Sequence, residues 1–371
     1  MAGIYIHIPL CRRKCNYCDF YSCTDISLKE EILGAIGREL ERRRDFLPGR
    51  QIDTIYIGGG TPSLLAPDEI GALISRVREL WDCSALREVT VEVNPDDVDE
   101  GYFAGLAGSG VNRVSIGVQS LVDRDLQWLG RRHDACKAQQ AVRAARRAGL
   151  HNISIDLIYG IPGMSAAEWE SNLSEAIKLG IQHISAYHLS VEDGTPLGRM
   201  AARGEFAQVA EAESQRQFDT LREKLAAAGY EHYEISNFAL SGYRAIHNSG
   251  YWRDEYYLGV GPSAHSYNGA ERSWSEADAE RYLAGGDIYR GEKLDDADRY
   301  NEYVMVSLRC AEGVDIREVE RRFGAEFADH FGRSALPLVG SGLLCRDGER
   351  YRIDGSKLLV SNPIIEALFF V

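Results

Sequence analysis

Short apolar runs alternate with helix-like stretches through the first half of the chain. The runs fall at 4–8, 52–57, 89–93, 114–118, 153–158 and 184–191, each short, rich in Ile and Val and bounded by turn-forming residues, which is the signature of strands. Between the first two, Leu28, Ile32, Ile36 and Leu40 recur every four residues and define one face of a helix. Ser27 followed by Glu30 is a capping-box signature that would start it. Pro67 suits the first turn of a second helix, with Ile70, Leu73, Ile74 and Val77 on one face. Helical patterns also cover 123–129, 134–148 and 166–179. Strands that each lead into a helix pair in parallel through right-handed crossovers. Six units fall short of the eight that close a barrel. The expected fold is therefore α/β, a partial (β/α)6 barrel over residues 1–240, with its site where the strands end.

The texture changes after a polar helical stretch at 205–228. Residues 230–274 hold ten Phe, Tyr or Trp and three of the nine histidines, which marks 241–293 as an aromatic-rich segment. From 294 to 371 the pattern reads helix, helix, then short strands near 342–351 and 358–360. That order suits a small winged-helix-like domain.

Composition narrows the function. The 371 residues carry 42 basic and 56 acidic side chains, a net charge of −14. Such a balance weighs against a nucleic-acid surface, since phosphates are met by clustered Lys and Arg. No apolar run approaches the roughly 18 residues of a membrane span, and the N-terminus enters a strand without a signal-peptide core. The expected setting is the cytoplasm, with no membrane anchor. Cysteines stay reduced there, so their spacing speaks first of metals or catalysis.

Cys11, Cys15 and Cys18 form C-x3-C-x2-C directly after the first strand, within a loop that also carries Arg12, Arg13 and Lys14. Iron–sulfur clusters are held by thiolates, usually four; three leave one iron open to a small molecule. A zinc site completed by His7 or Cys23 uses the same residues. Cationic side chains in the loop would offset the charge of thiolates. Cys83, Cys136, Cys310 and Cys345 stand alone and read as buried thiols.

With its flanks, Tyr5-Ile6-His7-Ile8-Pro9 before the cysteines and Tyr17 among them, this loop resembles the start of radical S-adenosylmethionine (SAM) proteins related to oxygen-independent coproporphyrinogen III oxidase. The resemblance continues in register. Gly59, Gly60 and Thr61 match the segment that holds the methionine amino group in that superfamily. Glu92, Gln119, Arg131 and Asp156 match its further SAM contacts, and Tyr5 and Tyr17 match neighbours of cluster and cofactor. In those proteins the amino and carboxylate groups of SAM chelate the open iron, and an electron from the reduced 4Fe-4S cluster cleaves a sulfonium C–S bond.

Two features separate the chain from the oxidases. They carry a further cysteine two positions after the third, where this chain has Phe20, and a leader before the first strand, which here begins at residue 4. Cys18-Asp19-Phe20, Tyr233-Glu234-Ile235-Ser236-Asn237-Phe238-Ala239 and His247-Asn248-x-x-Tyr251-Trp252 instead resemble the heme chaperone branch, HemW. That resemblance implies heme as a third ligand, apo-hemoproteins such as respiratory enzymes as clients, and a low-potential electron donor. The alternative is a radical SAM enzyme acting on a tetrapyrrole, by coproporphyrinogen III oxidation or heme ring-opening. His247 would be the axial ligand, with Asn248, Tyr251 and Trp252 around the macrocycle; His265 is a second candidate. An aromatic cluster around a hydrogen-bonded histidine fits the same motif. His7 and His188 read as barrel-mouth or core residues.

Overall fold

The six strands form with an almost strict alternation, and that alternation decides what the barrel contains. The computed structural model describes residues 2–285 and 288–371. In it β1 (Ala2–Ile8), β2 (Thr54–Gly59), β3 (Glu88–Val93), β4 (Arg113–Gln119), β5 (Asn152–Tyr159) and β6 (His183–His188) lie side by side in chain order. All five pairings are parallel. Ile4, Ile6, Ile55, Ile57, Val89, Val91, Val114, Ile116, Ile153 and Ile155 form one set and are at most 2% exposed. Each such side chain contributes about 1.5–3 kcal/mol on burial.

The other set is polar. Tyr5 pairs with Tyr56, Thr90 with Arg113, Glu92 with Ser115, Ser154 with His183 and Asp156 with Ser185. Paired residues in a parallel sheet point to the same side, so the inner face is lined by hydroxyls, carboxylates, imidazoles and a guanidinium. A fully apolar interior, the usual filling of a closed barrel, is absent from this face.

Residues after 230 extend the sheet on both edges. β7 (Glu231–Glu234) and β8 (Asn237–Ala239) add antiparallel to β6. On the far side β9 (Tyr256–Val260) pairs parallel with β1, followed by antiparallel β10 (His265–Tyr267), β11 (Glu271–Ser275) and β12 (Tyr289–Lys293). The sheet thus has twelve strands, seven of them parallel rather than six. It runs straight across the boundary expected at 240.

The short helix Ile246–Trp252 lies under the barrel where the strands begin. Its first peptide N–H groups, Ile246 and His247, donate to the Glu88 carboxylate at 2.8 and 3.0 Å. An acid at a helix N-terminus meets the partial positive charge there. Glu88 opens β3, so the contact fixes this helix to the barrel floor.

Three local expectations change. The helix Lys29–Arg42 is preceded by a 3-10 turn, Ile26–Leu28, whose cap is Asp25. Asp25 accepts from both the peptide N–H and the hydroxyl of Ser27, and Ser27 lies inside the turn, so Leu28 and not Ser27 is the N-cap of the helix. The sixth strand stops at His188, short of 191. Residues 358–360 belong to a 3-10 helix, Gly355–Val360, because Asp354 accepts from Ser356 and closes a turn. The C-terminal region otherwise shows helices Asp296–Leu308, Ile316–Phe323 and Ala325–Gly340 with a small antiparallel sheet of Val314–Asp315, Leu344–Asp347 and Arg350–Ile353. No helix among the described residues is long and apolar enough to cross a membrane.

Candidate functional site

The cysteine loop leaves β1 at the opposite end from that floor. Backbone bonds anchor its base: Cys11 N–H donates to Cys23 C=O at 2.9 Å, and Asn16 N–H to Leu129 C=O at 3.1 Å. Asn16 also donates from its amide to Trp128 C=O, and Leu197 N–H returns to Asn16 C=O. Cys11 Sγ lies 3.2 Å from Thr61 Oγ1, and Arg131 Nη1 lies 3.5 Å from Cys15 Sγ. Cys23 is turned to other use, its sulfur accepting from Asp25 N–H at 3.3 Å. Of the four cysteines expected to be buried, Cys136 is exposed and Cys83, Cys310 and Cys345 are half-buried.

The end of β2 approaches this loop so closely that only glycine fits. Gly59 has φ +107°, and a Cβ there would sit 2.6 Å from the His7 ring; one on Gly60 would sit 2.7 Å from Leu10 C=O. Left-handed backbone and missing side chain are both needed. His7 is itself fixed, with Tyr5 Oη at 3.0 Å on one ring nitrogen and Tyr21 C=O at 3.0 Å on the other. It is a buried residue of the mouth, as expected.

Glu92 is gripped from two sides, by Tyr56 Oη at 2.7 Å and Gly59 N–H at 3.1 Å. Burial nevertheless pushes its pKa up to about 7, with Asp156 adding to the shift. Asp156, near Ser115 Oγ at 3.4 Å, is raised to about 6, again first by burial. Two carboxyl groups thus face a common interior close to neutrality, and a cation between them would favour their charged forms. Gln119 ends β4 with φ +67°, a conformation that costs energy in a residue with a side chain. Arg131 donates to Asn94 Oδ1 at 2.6 Å and Gly117 C=O at 2.8 Å, yet its buried Nε has no partner among the described residues. Tyr17 is half-buried nearby, and burial raises its pKa with Arg131 opposing.

Tyr5, Tyr17, Gly59, Gly60, Thr61, Glu92, Gln119, Arg131 and Asp156 therefore gather round the mouth with Cys11, Cys15 and Cys18. Asn94, Tyr56 and Ser115, which hold the charged members in place, were not singled out in the sequence. Their signal was the polar half of the strand alternation.

The His-Asn-x-x-Tyr-Trp residues lie elsewhere. His247 is 4% exposed and spans the floor, with Thr54 Oγ1 at 2.8 Å on Nδ1 and Tyr251 Oη at 2.8 Å on Nε2. Tyr56 stacks on it at 5.1 Å, and burial lowers its pKa to about 3. An axial ligand needs a free ring nitrogen. Here Thr54 and Tyr251 hold both. Asn248, Tyr251 and Trp252 are half-buried on the same helix.

The pattern of the Radical SAM superfamily matches residues 5–176, and that of the HemN C-terminal domain matches 294–356. The heme chaperone HemW of Mycobacterium tuberculosis is 33% identical over 99% of this chain and 94% of its own length. The chain belongs to the HemW family. HemW of Lactococcus lactis is 31% identical over 98% of this chain and 96% of its own length, and the HemW of Bacillus subtilis is 31% identical over 99% of both. The structure of coproporphyrinogen III oxidase (HemN) from Escherichia coli shares the fold, with a TM-score of 0.84 over 99% of this chain and 90% of that one at 24% identity.

Membership of this radical SAM family implies a 4Fe-4S cluster and SAM, and the residues suit both. Three loop thiols sit beside a hydroxyl and a guanidinium able to donate to thiolate sulfur. A buried Arg131 N–H awaits an acceptor, and charge-assisted bonds to a carboxylate are the strong kind.

Proposed function

We propose that this HemW family member holds a 4Fe-4S cluster on Cys11, Cys15 and Cys18, binds SAM against it, and carries heme to apo-hemoproteins. The observation that carries the reading is the three-thiol mouth with its waiting Arg131, set in a chain alike from end to end to heme chaperones. When bound, the cluster supplies a low-potential electron to SAM, drawn from a separate donor protein. Thr61 and Arg131 would steady the thiolates, while Arg131 pairs with the methionine carboxylate. Glu92 would accept from ribose hydroxyls, its position set by Tyr56 and Gly59. Asp156 would face the same cofactor from β5. Such chemistry belongs to a compartment that keeps thiols reduced, the cytoplasm.

The test is strictly anaerobic incubation of reconstituted protein with heme, SAM and an apo-cytochrome, read for heme transfer and for 5′-deoxyadenosine. Transfer supports the chaperone. Conversion of coproporphyrinogen III under the same conditions, without transfer, would replace it with a tetrapyrrole-modifying enzyme.

A further inference from the structure

Arg113 opens β4 and is sealed inside the barrel. It is 1% exposed, and its Nε and Nη1 have no hydrogen-bond partner among the described residues. A guanidinium keeps its charge in a protein, and a buried charge without balance is costly. Negative charge nearby has to offset it, and the strand register shows where that charge lies.

Arg113 stands level with Thr90 on β3 and Asn152 on β5. Thr90 Oγ1 and Asn152 Oδ1 are likewise buried without partners among the described residues, so this row holds no anion. Two residues further along, Ser115 stands level with Glu92 and Ser154, and its hydroxyl lies 3.4 Å from Asp156. At about 3.3 Å per residue that layer is roughly 7 Å nearer the mouth. The two carboxyls of the cofactor mouth therefore sit in the layer directly above the guanidinium.

Other acids of the interior are committed elsewhere. Glu88 accepts from the first peptides of the floor helix. On β7, Glu234 accepts from Ser236 N–H and has Arg309 as its cationic neighbour. Burial pushes Glu92 to about 7 and Asp156 to about 6, and Arg113 opposes both shifts. The groups facing the pair do not titrate with it. Tyr5, Tyr17, Tyr56, Tyr187 and Tyr251 are raised by burial and stay neutral. The nearby His7, His183 and His247 are lowered by burial and stay neutral as well. Arg131 adds a second positive charge on the Asp156 side.

The protonation state matters because an ionised carboxylate only accepts, whereas a protonated one presents a hydrogen of its own. Ribose hydroxyls need the acceptor. We propose that Arg113 is a positioning residue for SAM, a fixed positive charge beneath Glu92 and Asp156 that keeps both as carboxylates facing the cofactor. The inference rests on the SAM-binding reading above.

The experiment is anaerobic equilibrium dialysis of the cluster-loaded protein with SAM, from about pH 6 to about pH 9, comparing wild type with Arg113→Met and Arg113→Lys. The ratio of affinities at each pH cancels the titration of SAM itself. Loss of an opposite charge raises a carboxyl by about one unit or more. Arg113→Met is thus expected to bind about tenfold more weakly than wild type near pH 6 and equally near pH 9, with iron content and circular dichroism unchanged. Arg113→Lys keeps the charge and should follow the wild-type profile. Should methionine prevent folding, Arg113→Gln takes its place with the same expectation. A purely structural role would weaken binding by one factor at every pH, so a ratio independent of pH would overturn the assignment, as would a lysine variant that behaves like methionine. A wild type that takes up the cluster yet binds SAM at no pH would overturn the SAM reading itself.

Discussion

The two ends of this barrel use the same residue types and finish them differently. At the floor, His247 has both nitrogens bonded, His183 lies between Ser154 Oγ at 2.7 Å and Tyr233 Oη at 2.7 Å, and Glu88 caps a helix; Arg113, whose buried Nε and Nη1 lack partners among the described residues, is the exception. At the mouth, Arg131 has an N–H unpartnered among the described residues, two carboxyls are pushed toward neutrality, and Arg13 and Lys14 are exposed. Closed hydrogen bonding rigidifies, whereas unfinished bonding awaits something to complete it. A histidine or carboxylate is therefore interpreted by the state of its partners and not by its type.

The largest expected effect divides the ends outright. Replacing Cys11, Cys15 and Cys18 together by Ala should abolish iron and sulfide uptake on anaerobic reconstitution while circular dichroism stays native; a mutant that still takes up four irons would place the cluster elsewhere. His247→Ala should do the reverse. It leaves the Thr54 and Tyr251 hydroxyls unpaired in a buried site and opens a cavity, a loss of about 2–4 kcal/mol in urea unfolding, with cluster content retained. A change under 0.5 kcal/mol would mean the floor is not closed.

At the mouth, Arg131→Met removes one charge-assisted contact. SAM affinity in equilibrium dialysis should drop about 10- to 100-fold, in line with roughly 1.5–3 kcal/mol for such a bond; unchanged affinity would remove Arg131 from the cofactor.

The smallest effect concerns pH. In the cofactor-free protein Glu92 has its pKa raised to about 7, so the folded state binds its proton more tightly than the unfolded one. Its contribution is fully present below the unfolded value near 4.5 and is lost as pH rises toward 7. Glu92→Gln cannot titrate, so its stability relative to wild type should improve by about 1–3 kcal/mol between pH 4.5 and 7. Parallel stability curves would show that Glu92 is already ionised in the empty barrel.

Much of this was legible in the sequence, because β1 to β6 write their two faces as alternating letters. The runs Tyr5-Ile6-His7-Ile8 and Glu88-Val89-Thr90-Val91-Glu92 show apolar and polar sides directly. The cysteine loop was legible because its spacing is local. β9 was not, since its parallel partner lies some 250 residues away and parallel pairing leaves no turn signature. Arg113 also escaped notice. It opens β4 at 1% exposure, with Nε and Nη1 lacking partners among the described residues, yet in sequence it looks like an ordinary strand-start charge. The partners of His247 escaped notice for a related reason: a motif records residue types, and only folding shows that Thr54 and Tyr251 meet both ring nitrogens.

The pairing of β9 with β1 also sets an order of events during synthesis. β1 is made before the other strands of its sheet, yet one of its edges stays open until Tyr256–Val260 has left the ribosome. At 5–20 residues per second that wait is roughly 12–50 s. Through it the strand feeding the cysteine loop keeps a row of unpaired N–H and C=O groups. The nascent chain thus displays its cysteine loop well before the wall beside it exists, so any ligand of that loop could meet it ahead of chain completion.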